Sequence, residues 1–192
     1  MKNQSLKILF SVFTFAMIFS SCTPTTENEM KKWDVNQNTA SNLKAKYPAY
    51  SKFIDSSLET LKTEWINAEK ETSEEKKAEK LSEINSNFQG GLIGSLSALD
   101  YKVKDVKKKQ DKLSNIRMAA SKKYAARSAL TRSQEYLNSA LEIMNRPITS
   151  SEAGKNNIKE ASGILIRTNS NLSSAIKNAS PKKKKKKKKK KK

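Results

Sequence analysis

The sequence of 192 residues contains no histidine, one cysteine, five glycines and four prolines. Without histidine and with a single cysteine, the chain cannot form a zinc finger, a Cys–His nucleophile pair, a Ser-His-Asp triad or an internal disulfide. The small number of glycines disfavours loop-rich β-sandwiches and glycine-lined phosphate sites. These absences predict a protein that is not an enzyme, needs no cofactor and has no metal site.

Positive charge is what the sequence has in excess. It carries 39 Lys and Arg against 19 Asp and Glu, for a formal net charge of +20. Charged residues make up 30% of the chain, which suits helices with one solvent-exposed face. Eleven consecutive lysines, Lys182 to Lys192, supply more than half of the net charge.

The first 21 residues form a separate unit. Lys2 and Lys7 precede an apolar run from Ile8 to Phe19. Since a membrane-spanning helix needs about 20 apolar residues, this run is too short to cross a bilayer. A short charged segment followed by such a run predicts a secretory signal peptide over residues 1–21, which is removed from the mature protein.

Cys22, the only cysteine, directly follows Ser20 and Ser21 at the end of the apolar run. This arrangement resembles the lipobox of bacterial lipoprotein signal peptides, and Phe19 at the position usually held by Leu resembles the spirochaete type. The resemblance implies that Cys22 becomes the first mature residue and carries the lipid that anchors the chain in a membrane. Ordinary cleavage near Ser21, leaving a free thiol, is the alternative. Thr23, and not Asp, follows the cysteine. By resemblance to the lipoproteins of bacteria with two membranes, this implies the outer membrane.

Residues 22–37 are predicted to be a lipidated flexible tether, since they are polar, contain Pro24 and show no apolar periodicity. Trp33 is an exception within this segment. Its ring either packs on the first helix or lies in the lipid headgroup layer, where indoles are favoured.

Apolar residues recur at steps of three and four from Leu43 to Phe88 and predict a first long helix. Pro48 lies near its start, where proline is tolerated or kinks the first turn. Residues 72–80 interrupt the apolar stripe. They are either a solvated part of the same helix, which is the favoured interpretation, or the start of a new helix capped by Ser73. Gly90 and Gly91 then provide the permissive backbone that a chain reversal needs.

A second helix is predicted from Leu92 to Met144, where near-heptad spacing continues for about fifty residues, or about 80 Å. Gln110, Arg117 and Arg127 dilute this apolar seam, and Gln110 is expected to fix the register between helices.

Arg146 and Pro147 are expected to end the second helix, and Thr149 or Ser150 to cap a third one whose apolar stripe reaches Ala179. Short connections make successive helices antiparallel. The sequence therefore predicts an all-α fold for residues 38–180, an elongated antiparallel three-helix bundle or coiled-coil hairpin with up-down-up order. Residues 59–83 carry eight acidic and five basic residues, whereas 102–132 carry two acidic and eleven basic. The reversal at Gly90 and Gly91 would place these complementary stretches side by side.

Residues 181–192 are predicted to form a disordered poly-lysine tail, because a block of like charges repels itself and buries nothing. Such a polycation binds dense polyanions with a steep salt dependence. For a secreted, lipidated chain the expected anions are lipopolysaccharide, peptidoglycan or sulfated polysaccharide. The signal peptide argues against nucleic acid, and the tail has no aromatic residues for base stacking. A tail lengthened by gene slippage, with no selected role, is the remaining alternative.

The plan of lipid, helical body and terminal lysine resembles that of the murein lipoproteins of outer membranes, whose terminal lysine is joined to peptidoglycan. The sequence therefore predicts one of two functions: a non-catalytic binding or adhesion lipoprotein for polyanions or a host ligand, or a structural lipoprotein that links the membrane to the cell wall. The sequence leaves the oligomeric state open. The candidate polyanion-binding lysines are those of the tail and two clusters in the second helix: Lys182, Lys183, Lys184, Lys185, Lys186, Lys187, Lys188, Lys189, Lys190, Lys191, Lys192, Lys107, Lys108, Lys109, Lys122 and Lys123.

Overall fold

A computed structural model gives the fold for residues 23–180. The predicted signal peptide, Cys22 and the lysine tail lie outside these described residues. Within residues 23–180, 87% of the chain is helical and there is no strand. The prediction of an all-α fold is confirmed.

The described chain forms six α-helices where the sequence predicted three. They are α1 (Thr26–Lys46), α2 (Ser51–Glu69), α3 (Glu74–Gly90), α4 (Leu92–Ser114), α5 (Ala120–Met144) and α6 (Ser151–Ala179), with a short 3-10 helix (Pro48–Tyr50) between α1 and α2. Each predicted long helix except the last is divided by at least one break.

Helix α1 occupies most of the segment that was expected to be a flexible tether. Thr25 caps it by accepting a hydrogen bond from the Asn28 amide, and two glutamates in its first turn interact favourably with the helix dipole. The helix buries one face, with residues spaced by steps of four and three: Glu29, Trp33, Asn36, Ala40 and Leu43. The structure therefore differs from the prediction over residues 26–37.

The predicted first long helix is broken twice. The backbone turns at Tyr47 and passes through the 3-10 helix, and α2 ends at Glu69. Ser73 then caps α3 by accepting a hydrogen bond from the Lys76 amide at 3.4 Å. The continuous helix was wrong, and the alternative with Ser73 as the N-cap is what the structure contains.

Helices α1, α2 and α3 form an up-down-up group, called the first bundle here (residues 26–90). Lys44 pairs with Asp55, and Trp33 stacks on Trp65 with ring centroids 4.8 Å apart, so α1 and α2 are antiparallel. Phe88 of α3 meets the Trp33 ring edge-to-face at 6.5 Å. These ring contacts decide between the two alternatives for Trp33. Its side chain packs inside the fold and is 5% exposed.

The chain does not reverse at Gly91. Gln89 donates a hydrogen bond to Asn36, and Tyr47 donates one to Asp100. From the first pair to the second, both partners advance by eleven residues, from Asn36 to Tyr47 and from Gln89 to Asp100. The chain therefore keeps its direction through Gly91, and α4 continues in the direction of α3. The predicted reversal is wrong, and the acidic and basic stretches lie on opposite sides of this bend instead of side by side.

The predicted second helix is broken at residues 115–119, where the chain reverses. Helix α5 returns along α4, and α6 packs on both. Gln110 of α4 donates a hydrogen bond to Ser133 of α5 at 2.9 Å, in agreement with its predicted register role. The start of α6 follows the prediction, with Ser150 accepting from the Ala153 amide at 3.1 Å. Helices α4, α5 and α6 form the second bundle (residues 92–179).

Candidate functional site

The two bundles meet at the corner between α1 and α2. Asp100 of α4 accepts hydrogen bonds from Tyr47 at 3.0 Å and from Lys46, and pairs with Lys104 at 2.9 Å. Burial alone would raise the pKa of Asp100, but the hydrogen bonds and charges of the two lysines hold it below its ordinary value. This cluster ties the corner to α4 with paired charges.

Tyr50 enters the second bundle at the same corner. Its hydroxyl donates to the Gly154 carbonyl at 3.3 Å, and the residue is fully buried. Burial raises the pKa of Tyr50 to about 12, because the phenolate would lose its hydration. Burial, together with the Asp100 charge, also raises the pKa of Tyr47. Both groups are neutral at pH 7 and act as structural hydrogen-bond donors.

A chain of polar side chains runs through the interface between α1 and α3. The Asn85 amide donates to the Glu29 carboxylate at 2.9 Å, and the Asn36 amide donates to Asn85 at 2.9 Å. Lys32 pairs with Glu29 at 2.7 Å and Gln89 donates to Asn36 at 2.8 Å. Sequence reasoning missed this network, which lines a cleft of about 790 Å³. Its groups satisfy one another, so the network fixes the position of α1 on α3.

The basic residues concentrate on the second bundle. Residues 92–180 carry 16 basic and 7 acidic residues, whereas residues 23–91 carry 10 basic and 12 acidic. The two halves of the described chain therefore differ in sign, with net charges of +9 and −2.

The predicted helical lysines are divided between two places on the second bundle. Lys107 and Lys108 are exposed on α4, while Lys109 is partly covered and pairs with Asp105 at 3.0 Å. Lys123 is exposed in the first turn of α5. Lys122 donates to the Asn178 carbonyl at 2.6 Å and so caps the end of α6. Lys122 therefore has a structural role that the sequence did not indicate.

One end of the second bundle gathers three cations, and two of them, Arg117 and Arg127, were expected to lie in the apolar seam. The end of α4, the reversal at residues 115–119 and the start of α5 surround a hollow of about 470 Å³. Arg117, Lys123 and Arg127 line it beside apolar residues such as Leu113 and Met118. Both arginines are exposed. Their position could not be inferred without knowing that the helix reverses between them.

The two ends of the described chain lie at opposite ends of the molecule. Thr26 bonds to Glu74 at the start of α3, and Lys122 bonds to Asn178 at the end of α6. Since α3 and α4 run in the same direction, with 17 and 23 residues, up to about 60 Å of helix separates these ends. Residue 23 therefore lies at the outer end of the first bundle, and residue 180 lies at the basic end of the second.

No helix within residues 23–180 combines the length and hydropathy needed to span a membrane. The same residues contain no group of three or more side chains arranged to hold a metal ion.

No family model, curated protein or solved structure matches this chain.

Proposed function

We propose that the chain is a lipid-anchored bacterial envelope protein, held in the outer membrane, that binds anionic polymers without catalysing a reaction. The observation that carries this proposal is the division of charge along the molecule. The half next to Cys22 is nearly neutral, with 12 acidic and 10 basic residues, and the half next to the tail has 16 basic and 7 acidic. The tail adds eleven lysines beyond the same end.

The spread of the basic residues favours a polymer over a small ligand. Lys107 and Lys108 are exposed on α4, and Lys123 is exposed on α5. Such dispersed charges bind a polyanion mainly by releasing its condensed counter-ions, and the affinity then falls steeply with salt. Lipopolysaccharide, peptidoglycan and sulfated polysaccharide all present this kind of charge to an envelope protein.

Lipidation of Cys22 supplies the membrane anchor in this proposal. Helix α1 begins at Thr26, four residues after Cys22, so the first bundle would be held close to the lipid surface. Labelled fatty acid is expected to enter the wild-type protein, and Cys22→Ala is expected to leave the precursor unprocessed or release a soluble body. Failure of the wild-type protein to incorporate the label would overturn the anchor.

The binding function is tested by removing the tail charge. Affinity for heparin and lipopolysaccharide is measured across a salt series for the full-length protein, for a chain ending at Pro181, and for a chain with all eleven tail lysines changed to glutamine. Both variants are expected to lose most of the affinity and to show a flatter salt dependence. Equal low-salt affinity in the truncated and full-length proteins would place the site on the bundle and not on the tail.

A structural envelope lipoprotein is the second candidate, and the placement of residues 23 and 180 at opposite ends of the described body favours it. A body that separates the anchor from the lysines by up to about 60 Å of helix could bridge the membrane and peptidoglycan. Protease added to intact cells distinguishes the two. Cleavage of the tail indicates a surface-exposed binding protein, whereas a tail that is cleaved only after the outer membrane is opened indicates the structural role.

A further inference from the structure

The tyrosines of the second bundle are placed unlike the aromatic residues of the first. In residues 92–180 there are three, and all are exposed: Tyr101 by 75%, Tyr124 by 84% and Tyr136 by 45%. Trp33, Trp65 and Phe88 are buried in the core of the first bundle. Exposed aromatic rings on a domain that does not need them for packing indicate a binding surface.

Two of these tyrosines line one groove between α5 and α6. The groove has a volume of about 480 Å³, and Tyr124, Ser128, Arg132 and Tyr136 follow one another along its α5 side at steps of four. Residues four apart lie on neighbouring turns of a helix, so these side chains form a stripe that winds gradually around α5. The stripe places the two rings about 18 Å apart along the helix, with the guanidinium between them.

The other wall and the floor of the groove are polar but not acidic. Asn171 and Thr168 of α6 line it, together with small residues of α5, and none of the lining side chains is acidic. Arg167 lies four residues before Asn171 on the same side of α6 and is exposed. The groove is therefore complementary in charge to an anion, and its small residues leave the tyrosine faces accessible.

We propose that this groove binds a segment of a sulfated polysaccharide. The C–H groups on one face of a pyranose ring carry a small positive charge and pack on the negative face of a tyrosine ring. Arg132 presents a planar array of donors that fits the oxygens of a sulfate bidentately. Asn171 can donate to or accept from ring hydroxyls. Tyr124 and Tyr136 would contact two sugar units on either side of the sulfate held by Arg132.

The spacing of the rings favours a polysaccharide over single-stranded nucleic acid. Proteins that bind nucleic acid by stacking place aromatic rings where successive bases can reach them. Here an arginine and about 18 Å of helix separate the two rings, and the groove between them is lined by small and polar residues. An oligonucleotide is therefore a competitor to be tested and not the proposed ligand.

This inference rests on the proposed polyanion-binding function and specifies the ligand class of one site. It is tested with the full-length protein and three probes: a defined heparin hexasaccharide, inorganic polyphosphate of similar charge and a single-stranded oligonucleotide. The variants are Tyr124→Ser with Tyr136→Ser, Arg132→Gln, and Tyr101→Ser as the matched control outside the groove. All three tyrosines are exposed, so circular dichroism is expected to be unchanged.

At about 0.3 M salt, where simple ion pairing is screened, the double tyrosine variant is expected to bind the hexasaccharide roughly ten-fold more weakly. Arg132→Gln is expected to do the same, and Tyr101→Ser to have no effect. Polyphosphate, which has no sugar face, is expected to bind the double tyrosine variant and the wild-type protein equally at low salt.

Three results would overturn the proposal that this groove binds a sulfated polysaccharide. They are an equal loss of affinity for polyphosphate and hexasaccharide, no loss of affinity in the double tyrosine variant, and a tyrosine-dependent affinity that is higher for the oligonucleotide. Failure of the proposed polyanion-binding function gives a different result, because polyphosphate would then not bind the wild-type protein even at low salt.

Discussion

The first and second bundles have the same up-down-up order but are specified by different chemistry. The first is centred on the stacked rings of Trp33 and Trp65 and contains three buried residues with large polar side chains, Glu29, Asn36 and Asn85. The second has an aliphatic core from Leu92 to Ala179, and the buried aromatic ring that packs into it, Tyr50, comes from the corner of the first bundle. Its surface instead carries the exposed tyrosines and most of the basic residues.

The contrast indicates a division of roles within one chain. Specific polar contacts and stacked rings fix helices that are otherwise weakly amphipathic, such as α1. A bundle held by aliphatic packing leaves its surface free, and arginine, lysine and tyrosine there can contact a ligand without affecting the core. The following predictions test whether the two bundles are separable in stability as well as in surface chemistry.

Leu113→Asp is expected to have the largest effect, because Leu113 is fully buried in the second bundle and a carboxylate there loses both the apolar packing and most of its own hydration, at a cost of about 3–5 kcal/mol. Both tryptophans lie in the first bundle, so tryptophan fluorescence reports that bundle and circular dichroism reports both. Helicity is expected to fall while the fluorescence transition is retained. Lys112→Asp, an exposed neighbour, is the control. Loss of both signals at one denaturant concentration would contradict separate bundles.

Gly94→Ala is expected to loosen the connection between the bundles. A Cβ at Gly94 would lie 1.9 Å from the Gln89 carbonyl oxygen, and this backbone cannot give way without moving α3 against α4. The expected loss of stability is about 2–3 kcal/mol. Gly163→Ala is the matched control in α6, where nothing lies within 4 Å of the added atom, and it is expected to stabilise by about 0.5–1 kcal/mol. If the melting temperatures of both variants shifted in the same direction by a similar amount, the close contact between Gly94 and the Gln89 carbonyl would be contradicted.

Asn85→Ala is expected to destabilise the first bundle by about 1–3 kcal/mol, because the Glu29 carboxylate and the Asn36 amide lose a buried partner. Denaturant unfolding followed by tryptophan fluorescence measures this loss. Ser86→Ala, at an exposed position on the same helix, should change the midpoint little. If the Asn85→Ala variant were as stable as the wild-type protein, the polar network would not specify the position of α1.

Asp100→Asn is expected to have the smallest effect at neutral pH, about 1–2 kcal/mol, and to change the pH dependence. Lys46 and Lys104 hold the folded pKa of Asp100 below its ordinary value of 3.8. Its contribution is therefore fully present above that value and is lost as the pH falls through the folded pKa. Thermal melts between pH 2 and 6 should show a shallower acid decline for Asp100→Asn than for wild type or the exposed control Asp111→Asn. An unchanged slope would contradict the role of this ion pair.

The sequence predicted the helical class and the start of α6, because these depend on local capping and apolar spacing, whereas it left the position of Trp33 open. Helix α1 was missed because Asn36 and Glu29 occupy positions of its buried face, which an apolar pattern does not register. The cap at Thr25 and the glutamates after it were the available signal. The reversal at residues 115–119 contains neither glycine nor proline, so Asn115 is its one turn-favouring residue and the local signal is weak.

At Gly90 and Gly91 the error is the opposite one, because a turn signal is present but the chain does not reverse. Gly90 and Gly91 predicted a reversal, but the backbone at Gly91 has an ordinary negative φ of −84°, and α4 continues onward. The glycine that the local geometry requires is Gly94, where two backbones come into contact. The helical lysines were correctly placed on helices, whereas the capping role of Lys122 and the cluster with Arg117 and Arg127 depend on tertiary contacts that no local pattern encodes.

The central claim is that ligand contact belongs to the second bundle and the tail, while the first bundle supports them. Hydrogen–deuterium exchange of the full-length protein, with and without a heparin hexasaccharide, tests this directly. We expect slower exchange in α5 and α6, and at residues 107–123, with no change in α1, α2 and α3. Protection of residues 26–90, or its absence throughout residues 92–180, would contradict the division.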